Sequence, residues 1–278
     1  MNTSVSAPVR PAGLSIDLSG RIVVVAGGGA IGPGWSIGRA SCVTYARLGA
    51  MVCVLDRNVA SAQETVDLIA DEGGNAQAYT VDMAASDSIA ACFAQLHDEH
   101  GHIDVLHHNV GIGKTGGFLE TSAEDLDRIQ SVNVKSLLLA SQQVLPGMLA
   151  QGRGVITSIS SVAGQRYLGY PHLGYSTTKA AVIHMTRMLA QEYASRGIRA
   201  NCVVPGLIDT PRVAANVGHM FANDQDEIKA ARSRQVPMGR MGTAWEIAQA
   251  CAFLASDAAS YITGTELVVD GGLTGKFV

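Results

Sequence analysis

Seven short runs rich in Val and Ile recur along the chain, at Ile22 to Ala26, Met51 to Leu55, Ala76 to Val81, Val105 to His107, Val155 to Ile159, Ile198 to Val204 and Leu267 to Val269, with helical stretches between them. A strand covered on both faces needs a continuous apolar run, and strands that alternate with helices pair in parallel through right-handed crossovers. The pattern predicts an α/β fold: a doubly wound parallel seven-stranded sheet flanked by helices. The composition agrees, because 47% of the residues are apolar but only 5% are aromatic, which suits strands packed under small-residue helices. No linker, repeat or low-complexity tract interrupts the alternation, so residues 15–278 read as a single domain behind a flexible arm over residues 1–14.

Charge and cysteine usage exclude several kinds of partner. A formal net charge of -4 leaves no surplus of cations to neutralise a phosphate backbone, so no nucleic acid is expected as a partner. Cys42, Cys53, Cys92, Cys202 and Cys251 are scattered, odd in number and never spaced as Cys-x-x-Cys, which signals neither a disulfide framework nor a zinc site. The opening residues lack the apolar stretch of a signal peptide, and no run of about 18 uncharged apolar residues occurs to cross a membrane. A soluble, cytoplasmic protein without a membrane partner is expected. Five histidines crowd between His97 and His108, but no carboxylate or cysteine completes a tetrahedral pattern, so no metal is expected.

In a doubly wound sheet, ligands bind beyond the carboxyl ends of the strands, near the point where strand order reverses. The first strand is followed by AGGGAIGPGWSIGRA, residues 26 to 40, running into a helix start. Glycines let backbone approach a pyrophosphate, and a helix amino terminus offers free N–H groups. Two registers are open. In one, Gly28, Gly32 and Gly34 carry the turn, but Pro33 between them has no N–H to donate. In the other, Gly27 opens the turn, about five residues are inserted, and Ser36, Ile37 and Gly38 begin the helix. The second is preferred, since Ser36 is a good cap and Ile37 keeps its donor. Asp56 follows the second strand, where a carboxylate accepts hydrogen bonds from the adenosine ribose and repels a 2'-phosphate, favouring NAD. Arg57 beside it leaves NADP possible.

Tyr175 and Lys179 are spaced to lie one helical turn apart on one face. A phenol is a poor base because its ordinary pKa is about 10, and a fixed ammonium favours the phenolate. The pair is therefore suited to moving a proton off an alcohol, with Lys179 supplying the charge. Ser158, Ser160 and Ser161 cluster just upstream at a strand end.

With the glycine-rich turn, Asp56, Ser161 and the Tyr175/Lys179 pair in this order, the chain resembles the classical short-chain dehydrogenase/reductase family, from about Leu18 to Gly272. Supporting stretches are Asp82, His108-Asn109-Val110-Gly111, Asn133, Pro205 through Thr210, and Val268 through Gly272. The resemblance implies a Rossmann-type fold and an NAD(H)-dependent oxidoreductase that interconverts a secondary alcohol and a ketone, acting on a small molecule. It implies that Asn133, Ser161, Tyr175 and Lys179 are catalytic, with Ser161 chosen over its neighbours because it precedes a small-small-glycine turn. It implies that Asp82 and Met83 flank the adenine, that Asn109 and Gly111 shape the loop under the adenosine, and that Ile208 and Thr210, after Pro205, meet the nicotinamide carboxamide. Lys179 would also hold the nicotinamide ribose, and Asn133 would bend its helix and hold a water. A homotetramer built on residues 121–149 and 174–196 is implied as well, with Leu137, Leu138, Ala181 and Leu189 as candidates for either interface or core.

The chain departs from that family in two places. The Ser-Ile ending of the phosphate loop is similar to the enoyl-reductase branch, yet that branch separates tyrosine and lysine by six residues, and the required position holds His172. His108 stands where Asn is usual and reads as a packed substitute. An NADP-dependent 3-oxoacyl or other carbonyl reductase is the alternative reading, and a catalytically silent NAD-binding scaffold is the alternative of another class. Residues 113–118, 165–173 and a lid at about 207–236 are expected to line the pocket; they contain Arg166, Arg212 and His219 but no convergent arginine cluster.

Overall fold

Each of the seven apolar runs is a strand in the structure, a computed structural model that describes residues 16–213 and 225–276. The expected arm over residues 1–14 and the middle of the expected lid, His219 included, lie outside the described residues. The strands are β1 (Ile22–Ala26), β2 (Met51–Asp56), β3 (Asn75–Thr80), β4 (Val105–His108), β5 (Gly154–Ile159), β6 (Ile198–Pro205) and β9 (Glu266–Val269), in the order β3-β2-β1-β4-β5-β6-β9. Every neighbouring pair is parallel. An additional two-residue pair, β7 (Ile208–Asp209) with β8 (Gly242–Thr243), was not legible in the sequence.

Two helical layers cover the sheet, and the pleat assigns alternate residues to each. Val23, Val25, Val52 and Val54 face α1 (Ile37–Arg47) and α2 (Val59–Asp71), joined by the helix α8 (Ala244–Ala255). Val24, Leu55, Leu106 and Ile156 face α3 (Ser86–His100), α5 (Ser136–Gln151) and α6 (Leu173–Tyr193). Both clusters are closed to solvent, which is why the central strands β1 and β2 read as unbroken apolar runs, whereas the edge strand β3 is exposed at alternate residues. Leu106 sits in the centre with no exposure, and truncation to Ala there should cost about 2–5 kcal/mol. All five cysteines are free and buried within these layers, behaving as small apolar side chains.

The helices begin where their first-turn amides find side-chain acceptors. Ser36 caps α1, Asn58 caps α2, Ser122 caps α4 (Ala123–Gln130), and Thr243 with Glu246 forms a capping box on α8. A further helix, α7, covers Gln225–Ser233. Between α4 and α5 the chain makes a single π turn, Ser131–Lys135, centred on Asn133. Such a bulge bends the helix and reorients its carbonyls.

Since β1 lies between β2 and β4, the crossovers leave in opposite directions on its two sides, opening a crevice at the carboxyl ends of β1 and β4. Among the described residues, no helix is long and apolar enough to cross a membrane.

Candidate active site

The glycine-rich loop takes the second of the two registers. Gly27 adopts φ +81°, a left-handed conformation in which other residues are strained. Gly38 packs so tightly that a Cβ there would lie 1.9 Å from the Gly27 carbonyl oxygen. Helix α1 starts at Ile37, with the Ser36 hydroxyl accepting from the Arg39 amide and donating to the Gly29 carbonyl. The inserted segment is anchored by Trp35, whose ring lies 4.5 Å from that of Trp245 on α8. The Arg39 amide is taken by Ser36 and that of Ala40 by the Ser36 carbonyl, while Ile37 and Gly38 occupy the first turn, where amides lack an intrahelical acceptor. This donor set, over a floor that admits no Cβ, fits the pyrophosphate of a dinucleotide.

Asp56 closes the other side of the loop. Its carboxylate accepts from the Gly29 amide at 3.1 Å and from the Asn58 amide at 3.0 Å. Arg57 is exposed next to it. Beyond β3, Asp82 accepts from the Ala84 amide while Met83 is buried. These four residues stand at the ends of β2 and β3, outside the main cavity. Asn109 ties β4 to the loop by donating to the Gly27 carbonyl at 2.9 Å.

The main cavity lies over the ends of β4, β5 and β6 and is lined by Ile37, Asn109, Gly111, Ser161, Tyr175 and Lys179, and by the Pro205 to Thr210 turn, Asp209 excepted. Gly111 lets Lys179 in, since a Cβ there would stand 2.8 Å from the Lys179 Nζ. Lys179 is 3% exposed and donates to the Ile159 carbonyl at 2.8 Å. Ser160 lines the cavity too, but its hydroxyl is spent donating to the Lys179 carbonyl at 2.7 Å, whereas Ser161 caps the short turn Val162–Gly164. Asn133 is fully buried, and its side chain accepts from the Ile112 amide and donates to the Ile112 carbonyl and the Thr178 hydroxyl. It thereby clamps the β4 loop to α6 one residue before Lys179.

The electrostatics differ from the simple expectation for a tyrosine beside a lysine. Burial pushes the Tyr175 hydroxyl above its ordinary value, and what opposes that push is the Arg212 guanidinium and the nearby Ser161 hydroxyl. The Lys179 ammonium stands 5.7 Å from the centre of the Tyr175 ring and is itself pushed down to about 8, by burial first and by the Arg212 charge second. Desolvation dominates because both groups lie between the sheet end and α6. The charge that favours the Tyr175 phenolate is thus that of Arg212, where the sequence points to Lys179.

Three residues of the stretches expected to line the pocket do line it, in roles that the sequence did not specify. The His172 ring stacks on that of Tyr175, and burial holds its pKa below the ordinary imidazole value. Its spacing of three residues before Tyr175 at a helix start was the available signal. Arg212 lines the cavity and donates to the Gly111 carbonyl. Arg232, on α7, lines it too, and no local pattern pointed to it. Arg166 does not line it. His108 is a packed residue, as expected, hydrogen-bonded to Ser136 at 2.8 Å, while His107 points to the other helical layer and meets the Tyr45 hydroxyl at 2.8 Å. His97 and His100 are engaged with the Gln143 carbonyl and the Tyr79 hydroxyl, and among the described residues no group of three metal-ligating side chains converges.

Comparison with known proteins agrees with this architecture. A family model described as Enoyl-(Acyl carrier protein) reductase matches residues 32–274. Oxidoreductase UcpA of Escherichia coli (strain K12) is 34% identical over 238 residues, covering 86% of this chain and 90% of that protein. A crystal structure of a short-chain type dehydrogenase/reductase from Mycobacterium marinum superimposes with a TM-score of 0.84 at 33% identity, covering 94% of this chain and 98% of the other. A gluconate 5-dehydrogenase from Burkholderia cenocepacia J2315, in complex with NADP and tartrate, gives 0.83 at 29% identity over 94% and 98% of the two chains. With the parallel sheet, the loop into α1 and the Ser161, Tyr175 and Lys179 cluster in one cavity, these matches establish that the chain belongs to the short-chain dehydrogenase/reductase family.

Proposed function

We propose that this protein is an NAD(H)-dependent oxidoreductase that interconverts a secondary alcohol and a ketone, with Tyr175 as general acid/base. The observation that carries this reading is the gathering of Ser161, Tyr175 and Lys179 around one cavity that opens beside the helix α1 amino terminus.

A bound nicotinamide dinucleotide supplies the hydride acceptor or donor. Ile37 and Gly38 would hold its phosphates through their amides, with Gly27 and Ser36 shaping the turn. Asp56 would hold the adenosine ribose, Asp82 and Met83 would flank the adenine, and Ile208 and Thr210 would orient the carboxamide. The Asp56 carboxylate supports NAD because a 2'-phosphate would meet negative charge there, although the Burkholderia cenocepacia relative is in complex with NADP. On the substrate side, Ser161 Oγ hydrogen-bonds the reacting oxygen, and Tyr175 Oη takes its proton in oxidation or returns it in reduction. Lys179 Nζ holds positive charge beneath the tyrosine. Asn133 acts at one remove by fixing the β4 loop and Thr178.

The test is absorbance at 340 nm with NAD or NADP across secondary alcohols, run on wild type and Tyr175→Phe. Turnover should fall by about 10³-fold in the variant while dinucleotide affinity stays within a factor of two. Unchanged turnover would overturn the assignment. Dinucleotide binding with no tyrosine-dependent turnover would favour a silent scaffold.

The protein is further proposed to work in a reducing cytoplasm, which its five free, buried cysteines support, and as a homotetramer. Of the four interface candidates, Leu137 and Leu189 are core residues, whereas Leu138 on α5 is 45% exposed and free to pack against another copy. Light scattering tests the assembly.

A further inference from the structure

The cavity wall is electrostatically one-sided. Lys179, Arg212 and Arg232 all line it, and among the described residues that line it there is no Asp or Glu. Arg212 reaches in from the segment after β7 and is held by donation to the Gly111 carbonyl, which leaves most of its fork of donors free for something else. Arg232 comes from α7, and its Nε is buried without a hydrogen-bond partner among the described residues. The Nδ1 of His172, stacked on Tyr175, is likewise buried and unpartnered. A buried donor left unmet costs about 1–3 kcal/mol, so such groups point to a ligand that meets them. The Arg212 charge acts on both Tyr175 and Lys179, which places the guanidinium within electrostatic reach of the reacting hydroxyl.

Resting on the reading of this cavity as an alcohol dehydrogenase site, we propose that its substrate is a compact hydroxy acid whose carboxylate is held by Arg212 and Arg232. Planar guanidinium forks match a carboxylate in a way a lysine does not, and two of them lining one cavity would fix which end of the substrate faces Tyr175. The carboxylate takes no part in the chemistry; it orients the carbinol carbon and offsets the surplus positive charge beside Lys179. A neutral alcohol would leave the partly buried Arg232 and the exposed Arg212 without a counter-charge in the cavity, which is the basis for rejecting it.

The experiment pairs turnover with binding. Oxidation of 3-hydroxybutyrate, lactate and gluconate is compared with that of methyl 3-hydroxybutyrate, lactamide and 2-butanol. In parallel, tartrate and its uncharged counterpart threitol are titrated calorimetrically into the protein saturated with NADH. Wild-type enzyme should favour an acid over its neutral counterpart by at least about 100-fold in kcat/KM, a difference of about 2.7 kcal/mol, and should bind tartrate but not threitol. Arg212→Gln and Arg232→Gln should each lower that kcat/KM by about 30-fold or more, mainly through KM, with Arg212→Lys intermediate. NADH affinity, read by fluorescence, should stay within twofold in all three. Equal use or equal binding of acid and neutral compounds, or no binding of tartrate together with no acid preference, overturns the proposal. Loss of NADH affinity in the arginine variants also overturns it, since the guanidiniums would then serve the dinucleotide phosphates. Tyr175-dependent turnover without acid preference sinks this inference alone, whereas arginine-dependent acid binding without Tyr175-dependent turnover sinks the dehydrogenase reading alone.

Discussion

The imidazole of His172 lies stacked against the phenol of Tyr175, with ring centroids 4.7 Å apart and planes 18° from parallel. His172 is the N-cap residue just before α6, three positions before the tyrosine, so the stack fixes the ring at the point where the helix has least support of its own. Its Nε2 reaches toward Gly113, where a Cβ would stand 2.6 Å away, so the β4 loop holds the imidazole in turn.

His172 should therefore act as a positioning residue. His172→Ala is expected to lower kcat by about tenfold with dinucleotide affinity unchanged, and His172→Phe, which keeps the stack, to recover most of that loss. If Phe behaves like Ala, the imidazole nitrogens rather than the stacking matter, and a pH–rate profile of both variants would show it.

The path of the phosphate loop separates two glycines that look alike in sequence. Gly38→Ala would drive a methyl into the Gly27 carbonyl, and should abolish dinucleotide binding or destabilise the fold by about 2 kcal/mol or more. Gly32→Ala meets only Pro211 at 3.8 Å and should leave binding within twofold. Dinucleotide titration and urea unfolding of both variants decide between the two registers independently of any substrate.

Asp56 is expected to set cofactor preference. Asp56→Ser removes the carboxylate while keeping a short acceptor for the Gly29 amide, and the ratio of kcat/KM with NAD to that with NADP should fall at least about tenfold, or 1.4 kcal/mol. A ratio that does not move would shift the discrimination to Arg57 or to residues farther along the loop.

Acid stability should be limited by two buried histidines. Burial holds His107 and His108 at about 3 in the folded protein, far below the ordinary 6.5. The unfolded chain binds more protons than the folded one between those values, so the stability is intact above pH 6.5 and is lost as pH falls toward 3. Each histidine contributes a slope of about 1.4 kcal/mol per pH unit in that window. His108→Asn retains a polar partner for Ser136 and removes one titration. Urea unfolding at pH 7 and pH 5 should show a pH-dependent loss smaller by about 2 kcal/mol in the variant, and equal losses would exclude His108 as a contributor.

The features legible along the chain are those that short-range geometry encodes. Unbroken Val and Ile runs specify the central strands, covered on both faces, while the edge strand β3 alternates exposed and covered residues; all seven appear where the apolar runs lie. Ser36 marks a helix start because a side-chain acceptor must meet the first-turn amides, and Tyr175 and Lys179 share a face because the α-helix repeats every 3.6 residues. The tertiary structure alone decided which distant groups share one cavity. Arg212 and Arg232 come from separate segments after β6, and Asn133 and Thr178 meet across 45 positions. No local pattern records such meetings, since they depend on strand order and on how helices settle onto the sheet. The same holds for the protonation equilibria: Lys179 titrates near 8 rather than at its ordinary value because the assembled layers remove water from around it.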